Sequence, residues 1–208
     1  EYLFSILSRN TPLEYFIEGG RSRTGRLLPA KTGMLAMTVH GHLRGRAKPI
    51  VFVPTYIGYE RLMEGSTYVG EMQGKPKEAE SIVGILKTLR KVERIFGKVH
   101  VNFGEPVFLD DMLKQHGAEQ ISIEKNDDPI PQEVSDAVNS SANAILENIN
   151  RAVVINPVSL LSLILLATPK HTLDEAICIK QLDTYRDLLT ALPYDERTHI
   201  TPLSGKEI

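Results

Sequence analysis

Apolar residues recur in two alternating rhythms through the first part of the chain. Leu3, Phe4, Ile6 and Leu7 read as the tail of a helix that closes before Pro12. The run Leu13-Glu14-Tyr15-Phe16-Ile17-Glu18 is rich in aromatic and β-branched side chains and predicts a buried strand, broken at Gly19-Gly20. Thr32 is placed to cap a helix carrying Met34, Leu35, Thr38, Val39 and Leu43, which ends near Gly45. Pro49 introduces Ile50-Val51-Phe52-Val53, a continuous apolar run typical of a central strand buried on both faces. Strand, glycine loop, helix and strand form a βαβ unit, and such crossovers are parallel and right-handed. The expected class is α/β. Residues 18–23 and 54–59 then meet at the carboxyl ends of two strands, where ligands of open sheets bind.

The second part is more helical. Residues 60–74 predict a loop or short hairpin, and Ser81 caps a helix with Ile82, Ile85, Leu89 and Val92 inside, closing at Gly97. Its outer charges Lys87, Arg90 and Lys91 read as a solvated face, or alternatively as a dock for anionic lipid headgroups. Residues 98–103 predict a strand and 110–117 a short helix. Residues 119–131 turn polar and acidic and read as a linker or surface excursion, dividing 1–118 from a helical region over 132–208. There Val134, Val138, Ser141, Ile145 and Ile149 keep helical spacing. Asn156-Pro157 caps an apolar helix, and Thr172-Leu173-Asp174-Glu175 reads as a capping box for a last one. Packing on the sheet is the simplest account of these helices; a monotopic membrane contact or an acyl-chain groove is the alternative.

Composition changes this picture in one respect. The fractions, 42% hydrophobic and 24% charged, are ordinary for a globular protein, and the net charge is -2. Yet residues 19–59 hold seven Lys or Arg and no Asp or Glu, leaving 17 basic against 26 acidic residues elsewhere. A local positive field in a mildly acidic chain points to an anionic ligand or surface. Nucleic acid is not expected, because no aromatic residues interleave the basic ones. The single Cys178, set among Ala176, Ile177 and Ile179, forms no internal disulfide, fits a reducing compartment and reads as a packed thiol. The longest apolar run, 158–167, is short of the roughly 20 residues a membrane span needs.

The candidate chemistry sits at the glycine break. Arg21, Ser22, Arg23, Thr24 and Arg26 follow Gly19-Gly20 directly, so three guanidiniums, two hydroxyls and unhindered backbone N–H groups end one strand. This inventory suits a phosphate or similar dianion; a solvated turn with surface arginines is the plain alternative. Gly20-x4-Gly25 has P-loop spacing, but Arg26 and Leu27 stand where Lys and a hydroxyl are required, so a nucleotide loop is not supported. His40 and His42, two apart on a helix, face different ways and do not suit a shared metal.

The stretch Phe16-Ile17-Glu18-Gly19-Gly20-Arg21-Ser22-Arg23-Thr24-Gly25-Arg26 resembles the third signature block of the bacterial sn-glycerol-3-phosphate 1-O-acyltransferases. Residues 50–60, Val101-Asn102-Phe103-Gly104-Glu105-Pro106 and the segment around Asn156-Pro157 match the same family in the right order. The resemblance implies a mostly parallel sheet flanked by helices, as in glycerolipid acyltransferases, followed by a helical C-terminal region. It also implies acyl transfer from acyl-CoA or acyl-carrier protein to the 1-hydroxyl of sn-glycerol 3-phosphate, the first step of phospholipid synthesis. The expected setting is the cytoplasmic face of the bacterial inner membrane, with the protein peripheral or monotopic. No bound cofactor or metal is implied, since the thioester carbon is itself the electrophile.

One part of the family pattern is absent. None of the six histidines begins a His-x4-Asp pair, and the nearest spacing, His100 with Glu105, reads as structural. The chain is therefore expected to be the C-terminal portion of a longer enzyme, holding the phosphate site and lacking the upstream base. On the resemblance, Arg21 and Arg23 hold the phosphate, Ser22 and N–H groups near Gly19 and Gly20 add hydrogen bonds, and Glu18 either accepts a glycerol hydroxyl or pairs with an arginine. Val53, Pro54, Tyr56 and Tyr59 fall in the block linked to the acyl donor. Two rival classes remain: a non-catalytic module that binds a phospho-metabolite or anionic lipid, and a purely structural domain.

Overall fold

The structure, a computed structural model, describes residues 2–9, 11–20, 22, 25–45, 48–60, 97–124 and 129–208. In chain order these form α1 (Tyr2–Ser8), α2 (Gly33–Gly45), β1 (Val51–Phe52), β2 (Thr55–Tyr59), β3 (Val99–Phe103), β4 (Val107–Phe108), α3 (Leu109–Gln115), α4 (Gln132–Arg151), β5 (Val154–Ile155), α5 (Pro157–Ala167), a 3₁₀ turn (Pro169–His171), α6 (Glu175–Ala191) and β6 (His199–Ile200). Helices mixed with short strands make the α/β class expected from the sequence. The expected helix after Ser81, the hairpin before Gly74 and Asp127-Asp128 lie outside the described residues. The chain divides into two compact units, residues 1–55 with 103–150 and residues 56–102 with 151–208.

The first unit is built on α2 and α4. Leu35, Val39 and Leu43, four residues apart, are fully buried on one face of α2, and Val134, Ala137, Val138, Ala142 and Ile145 form the matching stripe on α4. Burying each of the larger side chains contributes about 1.5–3 kcal/mol. Met34, on the same helix, is 38% exposed, because its position lies a turn-edge away from the 35–39–43 row. Helix α1 packs on α2. Gly41 and Gly45, one turn apart, leave room for it: a Cβ at Gly41 would meet Leu7 Cδ1 at 3.1 Å, and one at Gly45 would meet the Phe4 ring at 2.8 Å. Arg44 covers that ring, 5.0 Å from its centroid.

Two local expectations change here. Residues 11–16 form no ladder, and the chain turns at 17–18 instead of continuing a strand. Backbone bonds from Gly19 N to Phe16 O (3.0 Å) and from Lys31 N to Ile17 O (2.8 Å) consume the groups a strand neighbour would need. The parallel crossover onto Ile50–Val53 is consequently not formed among the described residues; β1 pairs antiparallel with β4, Val51 opposite Phe108 and Phe52 opposite Val107. That segment is also buried on one face only. Ile50, Phe52 and Pro54 turn inward while Val51 (42%) and Val53 (53%) stay exposed, the period-two pattern of a half-covered strand.

In the second unit β5 and β6 pair in parallel, Val154 opposite His199 and Ile155 opposite Ile200. Asn156 caps α5 as expected, its Oδ1 accepting from Ser159 N at 2.8 Å with Pro157 at the helix start. The capping of α6 begins two residues later than the sequence suggests. Asp174 accepts from the N–H groups of Ala176 (2.9 Å) and Ile177 (3.3 Å), while Thr172 serves as the exit of the 3₁₀ turn. Leu160, Ile164 and Leu182 form a small core, with Cys178 packed against it as the sequence implied. No helix among the described residues is long and apolar enough to cross a membrane.

Candidate functional site: the glycine–arginine loop

Ile17 is buried in the core of the first unit and roots the loop. The turn that follows demands glycine. Gly19 has φ +57°, and a Cβ there would sit 2.8 Å from Lys31 Cδ. Glu18 fixes the loop from within, since its Oε2 accepts the Leu28 N–H at 2.7 Å and so ties position 18 to position 28. Gly20 faces open space and Gly25 takes φ +75°. Positions 18 and 28 are thereby held together, with open space beside Gly20 and Gly25.

Ser22 is the informative residue. Its Oγ is buried and has no hydrogen-bond partner among the described residues. A buried hydroxyl left without a partner costs about 1–3 kcal/mol, and such groups are few in native structures. Lys31, its stem packed beneath Gly19 and its N–H bonded to Ile17, adds a cation at the loop's base that motif reading passed over. The count of basic residues over 19–59 was the only sequence signal for it. Arg21 and Arg23 lie outside the described residues.

The other expected residues are placed separately. Pro54 is buried, with its carbonyl accepting the Gly104 N–H at 2.8 Å, and Val53 projects outward. Tyr56 and Tyr59 belong to the second unit. Burial pushes the Tyr56 phenol above its ordinary pKa, partly offset by a hydrogen bond to the Val154 backbone, so Tyr56 is spent on holding β5. Tyr59 is half exposed. His100 pairs with Glu60 at 3.4 Å rather than with Glu105. Glu60 Oε2 also accepts the Lys98 N–H at 2.9 Å, and that bond, with His100 beside it, holds its carboxyl below the usual range.

A second polar group was not singled out from the sequence. His42 is buried on α2 and its Nε2 lies 3.1 Å from Asp110 Oδ1 in the first turn of α3. The legible signal was its place on the inward row 35, 38, 42. His40 Nε2, by contrast, has no partner among the described residues, so the two histidines go different ways. Among the described residues no three His, Cys, Asp or Glu side chains cluster as metal ligands do.

The Asn-Phe-Gly-Glu-Pro segment resolves into internal bonding. In the second unit Asn102 Nδ2 donates to Ala152 O (3.0 Å) and Arg197 O (2.8 Å). In the first, a Cβ on Gly104 would come within 2.5 Å of Asn148 O, and Asn148 Nδ2 donates to Glu105 O at 2.8 Å.

Comparison with known proteins then places the chain. The family described as glycerol-3-phosphate acyltransferase C-terminal region matches residues 68–208, and the acyltransferase family matches residues 1–58. The chain belongs to the glycerol-3-phosphate acyltransferase family. It is 47% identical to a glycerol-3-phosphate acyltransferase of Xanthomonas campestris over 97% of its length and 23% of the relative's. The protein of the same name from Ectopseudomonas mendocina is 46% identical over 99% of the chain and 25% of the relative. That of Xylella fastidiosa is 45% identical over 100% and 24%. The chain thus spans about a quarter of the length of the curated relatives it matches.

Proposed function

We propose that this chain supplies the phosphate-binding half of an active site that transfers a fatty acyl group from an acyl-CoA or acyl-carrier-protein thioester to the 1-hydroxyl of sn-glycerol 3-phosphate, giving lysophosphatidic acid. The observation that carries this reading is the buried Ser22 hydroxyl, which has no hydrogen-bond partner among the described residues and follows the Gly19-Gly20 turn. A phosphate oxygen satisfies it. Arg21 and Arg23 flank Ser22 in sequence and grip the same phosphate through their planar forks, while the Gly20 N–H adds a fixed donor, the Gly19 N–H being committed to Phe16 O. Glu18, with one oxygen committed to Leu28, offers the other to a glycerol hydroxyl.

The hydroxyl that attacks must lose its proton as the thioester carbon is engaged. The family's His-x4-Asp pair, which this sequence does not contain, is the general base for that step. The family resemblance links the block holding Val53, Pro54, Tyr56 and Tyr59 to the acyl donor, although Tyr56 is already bonded to the Val154 backbone. The names of the relatives support the substrate, and the cytoplasmic face of the inner membrane is where an enzyme with a water-soluble acceptor and a lipid product belongs.

Two measurements test the proposal. Calorimetric titration of the chain with glycerol 3-phosphate, with glycerol as control, gives saturable heat for the phosphate ester alone; no heat favours a structural domain. In the full-length protein Arg21→Ala raises the Michaelis constant for glycerol 3-phosphate at least tenfold, as expected for losing about 2–5 kcal/mol of a buried charged contact. Binding without acyl transfer makes the module a sensor. An unchanged Michaelis constant removes the phosphate role.

A further inference from the structure

The first unit contains a cavity of about 460 Å³ that the phosphate loop does not use. Phe4 and Leu7 of α1, Pro12, and Ile50, Val51 and Phe52 around β1 supply its apolar walls. Gly41 and Gly45 keep its floor low, since neither brings a side chain. Its volume lies within the roughly 300–1,000 Å³ of ligand sites. Most such cavities carry a few convergent polar groups, and this one does. Tyr15, Thr38 and His42 line it together, and exposed Lys48 adds a cation.

The polar residues differ in how far they are satisfied. His42 is held by Asp110, and the Thr38 hydroxyl donates to Met34 O at 2.9 Å. The Tyr15 hydroxyl is buried and has no hydrogen bond of good geometry among the described residues. Thr38, its proton given to Met34 O, lies near enough to offset part of the upward push that burial gives the Tyr15 phenol. A buried hydroxyl without a well-formed hydrogen bond thus stands among apolar walls.

We infer that this cavity takes the unbranched alkyl chain of the acyl donor, with the ester or thioester oxygen meeting the Tyr15 hydroxyl and the carrier's anionic groups on the Lys48 side. The inference rests on the proposed acyl transfer for the identity of the chain. It places that chain against Ile50–Phe52 and α1, whereas the motif reading pointed to Val53, Pro54, Tyr56 and Tyr59.

The experiment uses the full-length enzyme and two independent readouts. Leu7→Trp and Ile50→Trp fill the cavity. Each is expected to lower the ratio of kcat/KM for a 16-carbon over an 8-carbon acyl thioester by about tenfold or more, leaving the Michaelis constant for glycerol 3-phosphate unchanged. A 16-carbon fatty acid with a terminal diazirine is the second probe. Ultraviolet labelling is expected within residues 2–13 and 48–52, with Tyr15→Phe reducing it several-fold. Label confined to other peptides, or none because polypeptide fills the cavity, overturns the assignment, as does an unaltered chain-length ratio in both variants. An enzyme that transfers no acyl group defeats the functional reading instead, and the labelling still decides the cavity.

Discussion

The glycine–arginine loop and the Asn-Phe-Gly-Glu-Pro segment are both motifs that stand out in the sequence, and they spend their polar groups in opposite ways. In the second, Asn102 donates to two backbone carbonyls, and Asn148 donates to Glu105 O behind a glycine packed against its own backbone. The side-chain amides serve structure. In the first, Glu18 ties position 18 to position 28 through one backbone bond, and Ser22 Oγ is buried without a partner among the described residues. A motif whose hydrogen bonds end inside the fold holds it together; the buried Ser22 hydroxyl is what the proposed phosphate would satisfy.

That contrast can be broken by substitution. The largest effect on stability is expected from Gly104→Val, whose Cβ meets Asn148 backbone atoms at 2.5 and 2.9 Å and cannot be relieved by a side-chain rotation. We expect a loss of about 3 kcal/mol, read from the urea midpoint. Asn102→Ala leaves two carbonyls without their shared donor and should cost about 2 kcal/mol by the same measurement. Neither change is expected to alter the affinity for glycerol 3-phosphate in protein that remains folded.

Gly19→Ala sharpens the other side of the comparison. It forces an L side chain to φ +57° against Lys31, at a cost of about 1–2 kcal/mol, and affinity for glycerol 3-phosphate should fall with it because the loop must rearrange. The smallest effect concerns pH. The Glu60 carboxyl is lowered by its bond from Lys98 N–H, so its contribution is complete above the ordinary carboxylate range and disappears as pH falls through the lowered value, below 4.5. The gain is under about 1 kcal/mol for a pair this close to solvent, and Glu60→Gln should flatten that part of the stability–pH curve.

Periodicity made the helices legible. Leu35, Val39 and Leu43 repeat every turn, and Asn156-Pro157 marks a helix start by chemistry that needs no tertiary partner. Strand pairing was less so. Phe16 and Ile17 look alike as letters, yet Phe16 is 76% exposed and Ile17 is buried, because a local turn took the hydrogen bonds that a ladder required. The same limit applies at Thr172-Asp174, where two residues both suit a cap and the preceding 3₁₀ turn decides between them. For the site, the glycines and the basic stretch were readable, whereas Lys31 and the His42–Asp110 pair depend on contacts between positions distant in sequence.

The most direct test is a crystal structure of the full-length protein soaked with glycerol 3-phosphate. The account predicts the phosphate within hydrogen-bonding distance of Ser22 Oγ and the N–H group at position 20, with Arg21 and Arg23 turned onto it. A phosphate bound elsewhere, with the Ser22 hydroxyl still unpaired, would contradict it.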